Sequence, residues 1–202
     1  MVILIYYIVR NFSKIFFKLF YSFKVEILSK IPENSCIFVA NHQSLLDPPV
    51  VAASLKRRLI FLASTDLYKI PIIRFILIKT NSIPIKKNTA DIEAIKTALK
   101  KLKEGYSIAM FPEGGLSKDG EIKKAYEGAM YISYKSSIPI VPISIKGTHD
   151  IMPFGKFIPR LKGKISVKIG QPIYPDSTIE IRKGIDIMRD KVMNSIKEMF
   201  EL

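Results

Sequence analysis

The chain has 202 residues, of which 48% are hydrophobic and 25% are charged, and its 32 Lys and Arg against 18 Asp and Glu give a formal net charge of +14. This length and composition exclude intrinsic disorder and indicate one domain, or one domain with a short appendage. A strongly basic chain is typical of proteins that bind nucleic acid or an anionic membrane, and the high apolar content favours the membrane. The single cysteine, Cys36, excludes an internal disulfide and a multi-cysteine zinc site, and it favours a reducing compartment.

Residues 1–30 are predicted to form an amphipathic membrane-association segment, followed by one α/β domain over residues 31–202. Over residues 8–24 apolar side chains recur at helical spacing, with Phe17 and Tyr21 as exceptions on the polar side. The predicted apolar stripe consists of Ile8, Val9, Phe12, Ile15, Phe16, Leu19, Phe20 and Phe23. A basic amphipathic helix with many aromatics is typical of a segment in the membrane interface; the alternative is a helix packed on the protein's own core.

The rest of the chain alternates short β-rich apolar runs with helical patterns, which predicts an α/β fold with a central mixed sheet flanked by helices. The predicted strands are Cys36–Ala40, Leu59–Ala63, Ser82–Lys86, Tyr106–Phe111, Ile140–Lys146 and Ile165–Ile169. The predicted helices are Ala90–Glu104, Ala125–Ser136 and Ile179–Phe200. Asn88 or Thr89 is expected to cap the first of these helices, and Gly105 is expected to end it.

The segment Met152–Lys164 is predicted to be a surface loop, because its apolar residues stand between basic ones. The apolar residues of this loop are Phe154, Phe157, Ile158 and Leu161. We expect the loop to be a second place of contact with lipid.

The first candidate site is the polar sequence 41–47, which directly follows the predicted strand Cys36–Ala40. Loops at the carboxyl ends of strands hold the ligands of α/β folds. His42 and Asp47 can meet across a turn, so that the carboxylate holds one ring nitrogen and leaves the other free as a base. The alternative is a polar turn in which Asp47 caps the following helix.

The second candidate site is the run 111–117, which contains Glu113, Gly114 and Gly115 and again follows a predicted strand. Glycines let the backbone approach a ligand closely, and their N–H groups can face an anion. Three lysines follow at once and add positive charge for a phosphate: Lys118, Lys123 and Lys124. The alternative is a glycine-rich turn with solvated lysines.

In this order, Asn41-His42 with Asp47, then Phe-Pro-Glu-Gly at 111–114, then Val-Pro-Ile at 141–143 resemble the motifs of the glycerolipid acyltransferases, over about residues 25–170. The best-known members of that family are the 1-acylglycerol-3-phosphate acyltransferases. The resemblance implies transfer of a fatty acyl group from an acyl thioester to a lipid hydroxyl. It also implies that His42 takes the acceptor's proton and Asp47 orients His42. The resemblance further implies a direct attack without a covalent acyl-enzyme. This fits the lack of an evident nucleophile, since Cys36 lies in an apolar strand and is predicted to be part of the core.

The residues that the resemblance implies for substrate binding are Lys86, Lys87, Glu113, Gly114 and Gly115. The family's second motif ends in an arginine, and its third usually reads Glu-Gly-Thr-Arg. Here Lys87 takes the place of the first arginine, and Gly115-Leu116 replaces Thr-Arg. Lysine supplies positive charge but cannot form the two parallel hydrogen bonds of an arginine, and leucine supplies neither charge nor hydrogen bonds. The expected acceptor is 1-acyl-glycerol-3-phosphate, giving phosphatidic acid; the alternative is a different lysolipid or glycolipid acceptor.

The expected acyl donor is acyl-CoA or acyl-carrier protein, and neither a metal nor an organic cofactor is expected. The chain has no apolar stretch of the roughly 20 residues that span a bilayer and no signal-peptide pattern, so we expect peripheral attachment to an anionic membrane, at the cytoplasmic face of the cell membrane. Specific nucleic-acid binding is disfavoured, because no recognition motif is present. A non-catalytic membrane-surface protein would explain the N-terminal segment but not the polar loop at His42.

Overall fold

A computed structural model describes residues 2–87 and 91–202, which form a seven-stranded sheet with helices on both faces. The helices are α1 (Val2–Phe20), α2 (Asp47–Ser54), α3 (Pro71–Lys79), α4 (Ile92–Lys103), α5 (Gly128–Ser136), α6 (Thr148–Ile151) and α7 (Ile181–Glu201), with a 3-10 helix at Thr65–Lys69. The strands are β1 (Ser22–Ile27), β2 (Ile37–Ala40), β3 (Leu59–Ser64), β4 (Ile83–Ile85), β5 (Ser107–Met110), β6 (Ile140–Lys146) and β7 (Lys164–Ile169).

The sheet is mixed and has the strand order β1-β7-β6-β2-β5-β3-β4. The five strands from β6 to β4 are parallel, β7 is antiparallel to β6, and β1 is parallel to β7. The predicted α/β class with a central mixed sheet is therefore confirmed. Because β2 lies between β6 and β5, the loops that follow these three strands meet at one edge of the sheet.

The core consists of two hydrophobic clusters, one on each face of the sheet. Alternate residues of β2 contribute to each: Phe38 packs with α1 and α2, whereas Val39 packs with α4, α5 and α7. Every residue of β2 is buried, as expected for a central parallel strand covered on both faces. The continuous apolar runs of the sequence correspond to such strands.

The N-terminal helix differs from the prediction in length and in the face that it buries. It ends at Phe20, and residues 22–27 form β1, so the predicted helix over residues 8–24 is wrong beyond Phe20. In β1, Phe23 and Val25 face the core whereas Lys24 is exposed, which is the two-residue period of a strand. This strand places part of the predicted membrane segment inside the sheet.

The buried side of α1 is formed by the residues that the helical stripe left out. Tyr6, Ser13 and Phe17 are buried, and Tyr21 is buried just after the helix. Most of the predicted stripe faces outward instead, namely Ile8, Phe12, Ile15, Leu19 and Phe20, as does Leu4. The helix therefore packs on the core through a narrow aromatic side and leaves its broad apolar side uncovered in the described chain.

Three helices have no counterpart among the predicted ones: α2, α3 and α6, which follow β2, β3 and β6. The helices α4, α5 and α7 agree with the predictions to within three residues at each end. Asp91 caps α4 by accepting a hydrogen bond from the Ala94 N–H, whereas Asn88 and Thr89 lie outside the described residues. Gly105 follows α4 with a φ of +88°, as a helix-ending glycine does. Within the described chain, no helix combines the length and apolar character needed to span a bilayer.

Candidate active site

The first candidate site lies where β2 leaves the sheet. Asn41 continues the strand pairing with its side chain: it donates to the Ile145 carbonyl and accepts from the Ile145 N–H, both at 2.8 Å. Ser44 donates to the Met152 carbonyl at 2.7 Å. These bonds attach the loop 41–47 to β6 and to the segment after it, so its backbone has a defined path.

The structure brings the side chains of His42 and Asp47 together across this loop. His42 Nδ1 lies 3.0 Å from Asp47 Oδ2, and the same oxygen accepts the backbone N–H groups of Gln43 and Ser44 at 2.7 Å each. Asp47 is fully buried as the first residue of α2, where a carboxylate is favoured by the helix dipole. A carboxylate held by these donors fixes the imidazole ring, and with Nδ1 engaged the other ring nitrogen, Nε2, is left to act on a substrate.

The ring of His42 is also supported from one side by Phe111. The two rings are stacked with their centroids 4.0 Å apart. Phe111 follows β5, the neighbour of β2, and packs against the first hydrophobic cluster. This contact was not predicted from the sequence, although an aromatic residue directly before Pro112 and Glu113 was the available signal.

Glu113 holds the backbone of the His42 loop. Its Oε1 accepts the His42 N–H at 3.0 Å, and its Oε2 accepts the Lys123 N–H at 3.2 Å. Burial raises the pKa of Glu113 to about 7, although these two hydrogen bonds favour the charged form. Because both oxygens are engaged by the protein, this carboxylate has a positioning role in the structure.

A second set of hydrogen bonds joins the loop after β5 to the His42 loop. The Ser117 N–H donates to the His42 carbonyl at 2.8 Å, and the Gln43 side chain donates to the Gly120 carbonyl. Together with Glu113, these bonds hold the His42 backbone at its N–H and its carbonyl. Neither Gln43 nor Ser117 was singled out from the sequence, since hydrogen bonds to backbone groups leave little trace in residue type.

Gly114 and Gly115 lie next to this carboxylate and have different surroundings. Gly114 has a φ of +70°, and a Cβ atom built on it would lie 2.6 Å from Cε2 of Tyr126. A Cβ atom on Gly115 would meet no atom within 4 Å. The first glycine is therefore required by the backbone and by the tyrosine ring, whereas the second borders open space.

Lys86 and Lys87 lie away from the His42–Asp47 pair. They follow β4, which is three strands from β2 in the sheet, or about 14 Å at ~4.8 Å per strand. The Lys87 ammonium is 3.6 Å from the carboxylate of Asp66, and the backbone N–H of Lys86 donates to Asp91. The lysines of the loop after β5, the strand next to β2, are closer along the sheet, and substrate binding by Lys86 and Lys87 remains a prediction.

Cys36 lies at the opposite end of β2 from His42. It is fully buried, and burial raises the pKa of its thiol. A buried thiol of this kind is a core residue rather than a nucleophile. No cluster of three or more His, Cys, Asp or Glu side chains suited to a metal ion occurs among residues 2–87 and 91–202.

These features define an α/β protein with an Asp-anchored histidine at the carboxyl edge of its sheet, which is the arrangement of a general base. The sequence model of the Acyltransferase family matches residues 22–146, which span the His42 loop, the Glu113 turn and β6. The chain belongs to this family.

Similar proteins and structures are acyltransferases of one kind. The chain is 30% identical over 201 residues to a chloroplastic 1-acyl-sn-glycerol-3-phosphate acyltransferase of Brassica napus, covering 98% of this chain and 56% of the relative. The corresponding protein of Arabidopsis thaliana is 29% identical, with 98% and 54% covered. The crystal structure of the 1-acyl-sn-glycerophosphate (LPA) acyltransferase PlsC from Thermotoga maritima superposes with a TM-score of 0.77 at 26% identity, covering 96% of this chain and 79% of that one. The chain spans about half the length of these two curated relatives.

Proposed function

We propose that the chain transfers a fatty acyl group from an acyl thioester to the free hydroxyl of 1-acyl-glycerol-3-phosphate, which gives phosphatidic acid. The observation that carries this proposal is the 3.0 Å contact between His42 Nδ1 and the buried carboxylate of Asp47. The names of the relatives support the choice of reaction.

The mechanism is a direct transfer with His42 as general base. Nε2 takes the proton of the acceptor hydroxyl while its oxygen attacks the thioester carbonyl. The new C–O ester bond forms and the C–S bond breaks, and the departing thiolate takes the proton back from His42. Asp47 stabilises the imidazolium between these two proton transfers, and its hydrogen bonds with Gln43 and Ser44 keep it in place.

The acceptor phosphate is expected to interact with lysines in place of the family's arginines. Lys118 and Lys123 lie in the loop after β5, the strand adjacent to β2. Lys118 is exposed, and its ammonium is 5.8 Å from the centre of the Phe154 ring at the start of the loop 152–164. Because lysine binds phosphate as a point charge without the bidentate geometry of arginine, a different lysolipid or glycolipid acceptor is the second candidate.

The outward apolar side of α1 supports attachment to a membrane, where the lipid acceptor resides. Phe12 and Leu19 expose most of their side chains, and the helix carries Arg10, Lys14 and Lys18 without any acidic residue. This combination favours the surface of an anionic bilayer, and we place the protein at the cytoplasmic face of the cell membrane. The donor is acyl-CoA or acyl-carrier protein.

The test is an acyl-transfer assay with a panel of lysolipid acceptors, each offered with acyl-CoA and with acyl-carrier protein. Formation of phosphatidic acid from 1-acyl-glycerol-3-phosphate supports the proposal. Transfer only to acceptors with other head groups supports the second candidate and contradicts the first. The same assay identifies the donor.

The role of the histidine is tested in the same assay with point variants. His42→Ala and Asp47→Asn are expected to lower kcat by about 10²–10⁴-fold, because a positioned base or the carboxylate that orients it is lost. His149→Ala is the matched control, since His149 is the other histidine of the sequence and lies against Gly120 rather than Asp47. Near-normal turnover by His42→Ala, with circular dichroism confirming the fold, would overturn the assignment.

A further inference from the structure

The helix α3 is apolar but buries none of its nine residues. Ile72, Phe75 and Ile78 are 75%, 59% and 51% exposed. Only one side of the helix approaches the protein, through the half-buried Ile73 and Leu77 one helical turn apart. A surface helix normally turns its apolar side to the core, so the outward side of α3 lacks a covering layer in the described chain.

The charged residues of α3 indicate which kind of surface fits its outward side. Its sequence contains Arg74 and Lys79 and no acidic residue. The Lys79 ammonium lies 5.7 Å from the centre of the exposed Phe75 ring. A helix with exposed aliphatic and aromatic side chains beside basic groups, and without acids, complements an anionic lipid surface in both apolar and electrostatic respects.

The position of α3 makes it continuous with two other segments of the same character. It lies beside α1, whose outward side is also apolar and basic. The loop 152–164 meets the other end of this surface at Tyr21, which donates to the Arg160 carbonyl at 3.0 Å. That loop exposes Phe154, Phe157, Ile158 and Leu161 and contains no acid. We call the outward residues of α1, α3 and this loop the apolar rim.

Two parts of the apolar rim, α3 and the loop 152–164, begin at the edge of the sheet that carries His42. The 3-10 helix and α3 follow the carboxyl end of β3, which is separated from β2 only by β5. The loop 152–164 begins at Met152, whose carbonyl accepts the Ser44 hydroxyl of the His42 loop. A lipid surface that touches α3 and this loop would therefore lie near the edge that carries His42.

From these observations we propose that α3 is a second lipid-binding helix. It inserts Ile72, Phe75 and Ile78 into an anionic bilayer beside α1, with Arg74 and Lys79 at the level of the lipid phosphates. This attachment is a property of the surface and does not depend on the identity of the acyl acceptor.

The depth of insertion can be measured directly, because the chain contains no tryptophan. Phe75→Trp creates a single fluorescent reporter on α3. With vesicles of phosphatidylcholine and phosphatidylglycerol we expect a blue shift of its emission and quenching by lipids brominated on the acyl chain. Ile92→Trp is the matched control, since Ile92 is 62% exposed on α4, which packs on the opposite face of the sheet. An unshifted, unquenched Phe75→Trp in protein that sediments with the vesicles would overturn the proposal.

A second pair of variants measures what α3 contributes to binding. Phe75→Asp is expected to weaken partitioning onto the same vesicles about tenfold or more. The variant no longer buries a phenylalanine side chain, and it adds a negative charge that the anionic lipid repels. Ile92→Asp, the same change on α4, is expected to bind as the unsubstituted protein does. Sedimentation of both variants with the vesicles, after a check of their circular dichroism, gives the comparison. Equal binding by Phe75→Asp and the unsubstituted protein contradicts the proposal.

A second copy of the chain is the other occupant that the experiment detects. If gel filtration shows a dimer that Phe75→Asp converts to a monomer, while vesicle binding is unchanged, α3 is a dimer interface and the proposal is wrong. All of these measurements are of binding, so they remain informative when no acyl transfer is seen with any acceptor.

Discussion

At the scale of single residues, the candidate site depends on carboxylates with different surroundings. One oxygen of Asp47, Oδ2, meets three groups: the backbone N–H groups of Gln43 and Ser44 and the imidazole of His42. Glu113 is also buried, but its two oxygens each accept only one backbone N–H, from His42 and from Lys123. The first carboxylate acts on the histidine ring, and the second holds the histidine backbone.

The raised pKa of Glu113 predicts a pH dependence of stability. Its folded pKa of about 7 lies above the unfolded value of 4.5, so the folded state binds the proton more tightly. Protonation of Glu113 therefore adds to the free energy of unfolding, by about 3 kcal/mol at most. This stabilisation is fully present below about pH 4.5 and is lost as the pH rises through about 7. Unfolding by urea at several pH values should therefore show the unsubstituted protein losing stability relative to Glu113→Gln as the pH rises. Parallel pH profiles of the two proteins would contradict this prediction.

At the scale of elements, the turn after β5 and the loop after β2 form one unit. The turn supplies Glu113 and Ser117 to the backbone of His42, and the ring of Phe111 lies on the imidazole. A change in the shape of this turn is therefore expected to alter the position of His42.

The two adjacent glycines of the turn provide a matched test of that coupling. Gly114→Ala places a side chain at a φ of +70° and against the ring of Tyr126, so we expect a loss of about 1–3 kcal/mol in the free energy of unfolding and a lower kcat. Gly115→Ala enters open space and is expected to change the free energy of unfolding by less than about 0.5 kcal/mol. Chemical denaturation of both variants, followed by circular dichroism, checks the difference. Equal stability of the two variants would contradict this prediction, because it would mean that the turn adjusts to a side chain at either position.

At the scale of the whole molecule, apolar surface and basic charge occur together. The net charge is +14, and the segments of the apolar rim contain basic residues without acids. If the protein attaches to a membrane as proposed, the charge would attract it to anionic lipid, and the exposed apolar side chains would bind once the surface is reached. These two contributions depend differently on salt.

Binding to vesicles that contain phosphatidylglycerol is therefore expected to weaken as salt rises from 0.05 to about 0.5 M, because the screening length falls from above 10 Å toward 3 Å. A residual, salt-insensitive part is expected to remain, and it should be reduced in Phe75→Asp. Vesicles of phosphatidylcholine alone serve as the control and should show only this residual part. Vesicle sedimentation across the salt series measures both contributions, and binding that does not change with salt would refute the electrostatic part.

Local patterns in the sequence were sufficient for the central strands, for the helices α4, α5 and α7, and for the proximity of His42 and Asp47. The strands β2, β5 and β6 are continuous apolar runs because both of their faces are covered. His42 and Asp47 are only five residues apart, so one turn of the chain brings them together. Interactions of such short range are visible in residue order alone.

The tertiary structure decided the features that depend on distant partners. Phe17 and Tyr21, rather than the broader apolar stripe of α1, pack on the core, because the sheet and the loop 152–164 set which side of the helix is covered. Residues 22–27 are a strand because β7 offers them an edge. Glu113 meets the His42 backbone across 71 residues of chain, and the Lys87 ammonium lies beside the carboxylate of Asp66. Periodicity reports that a side chain is apolar or charged, but only the assembled sheet determines which group it faces.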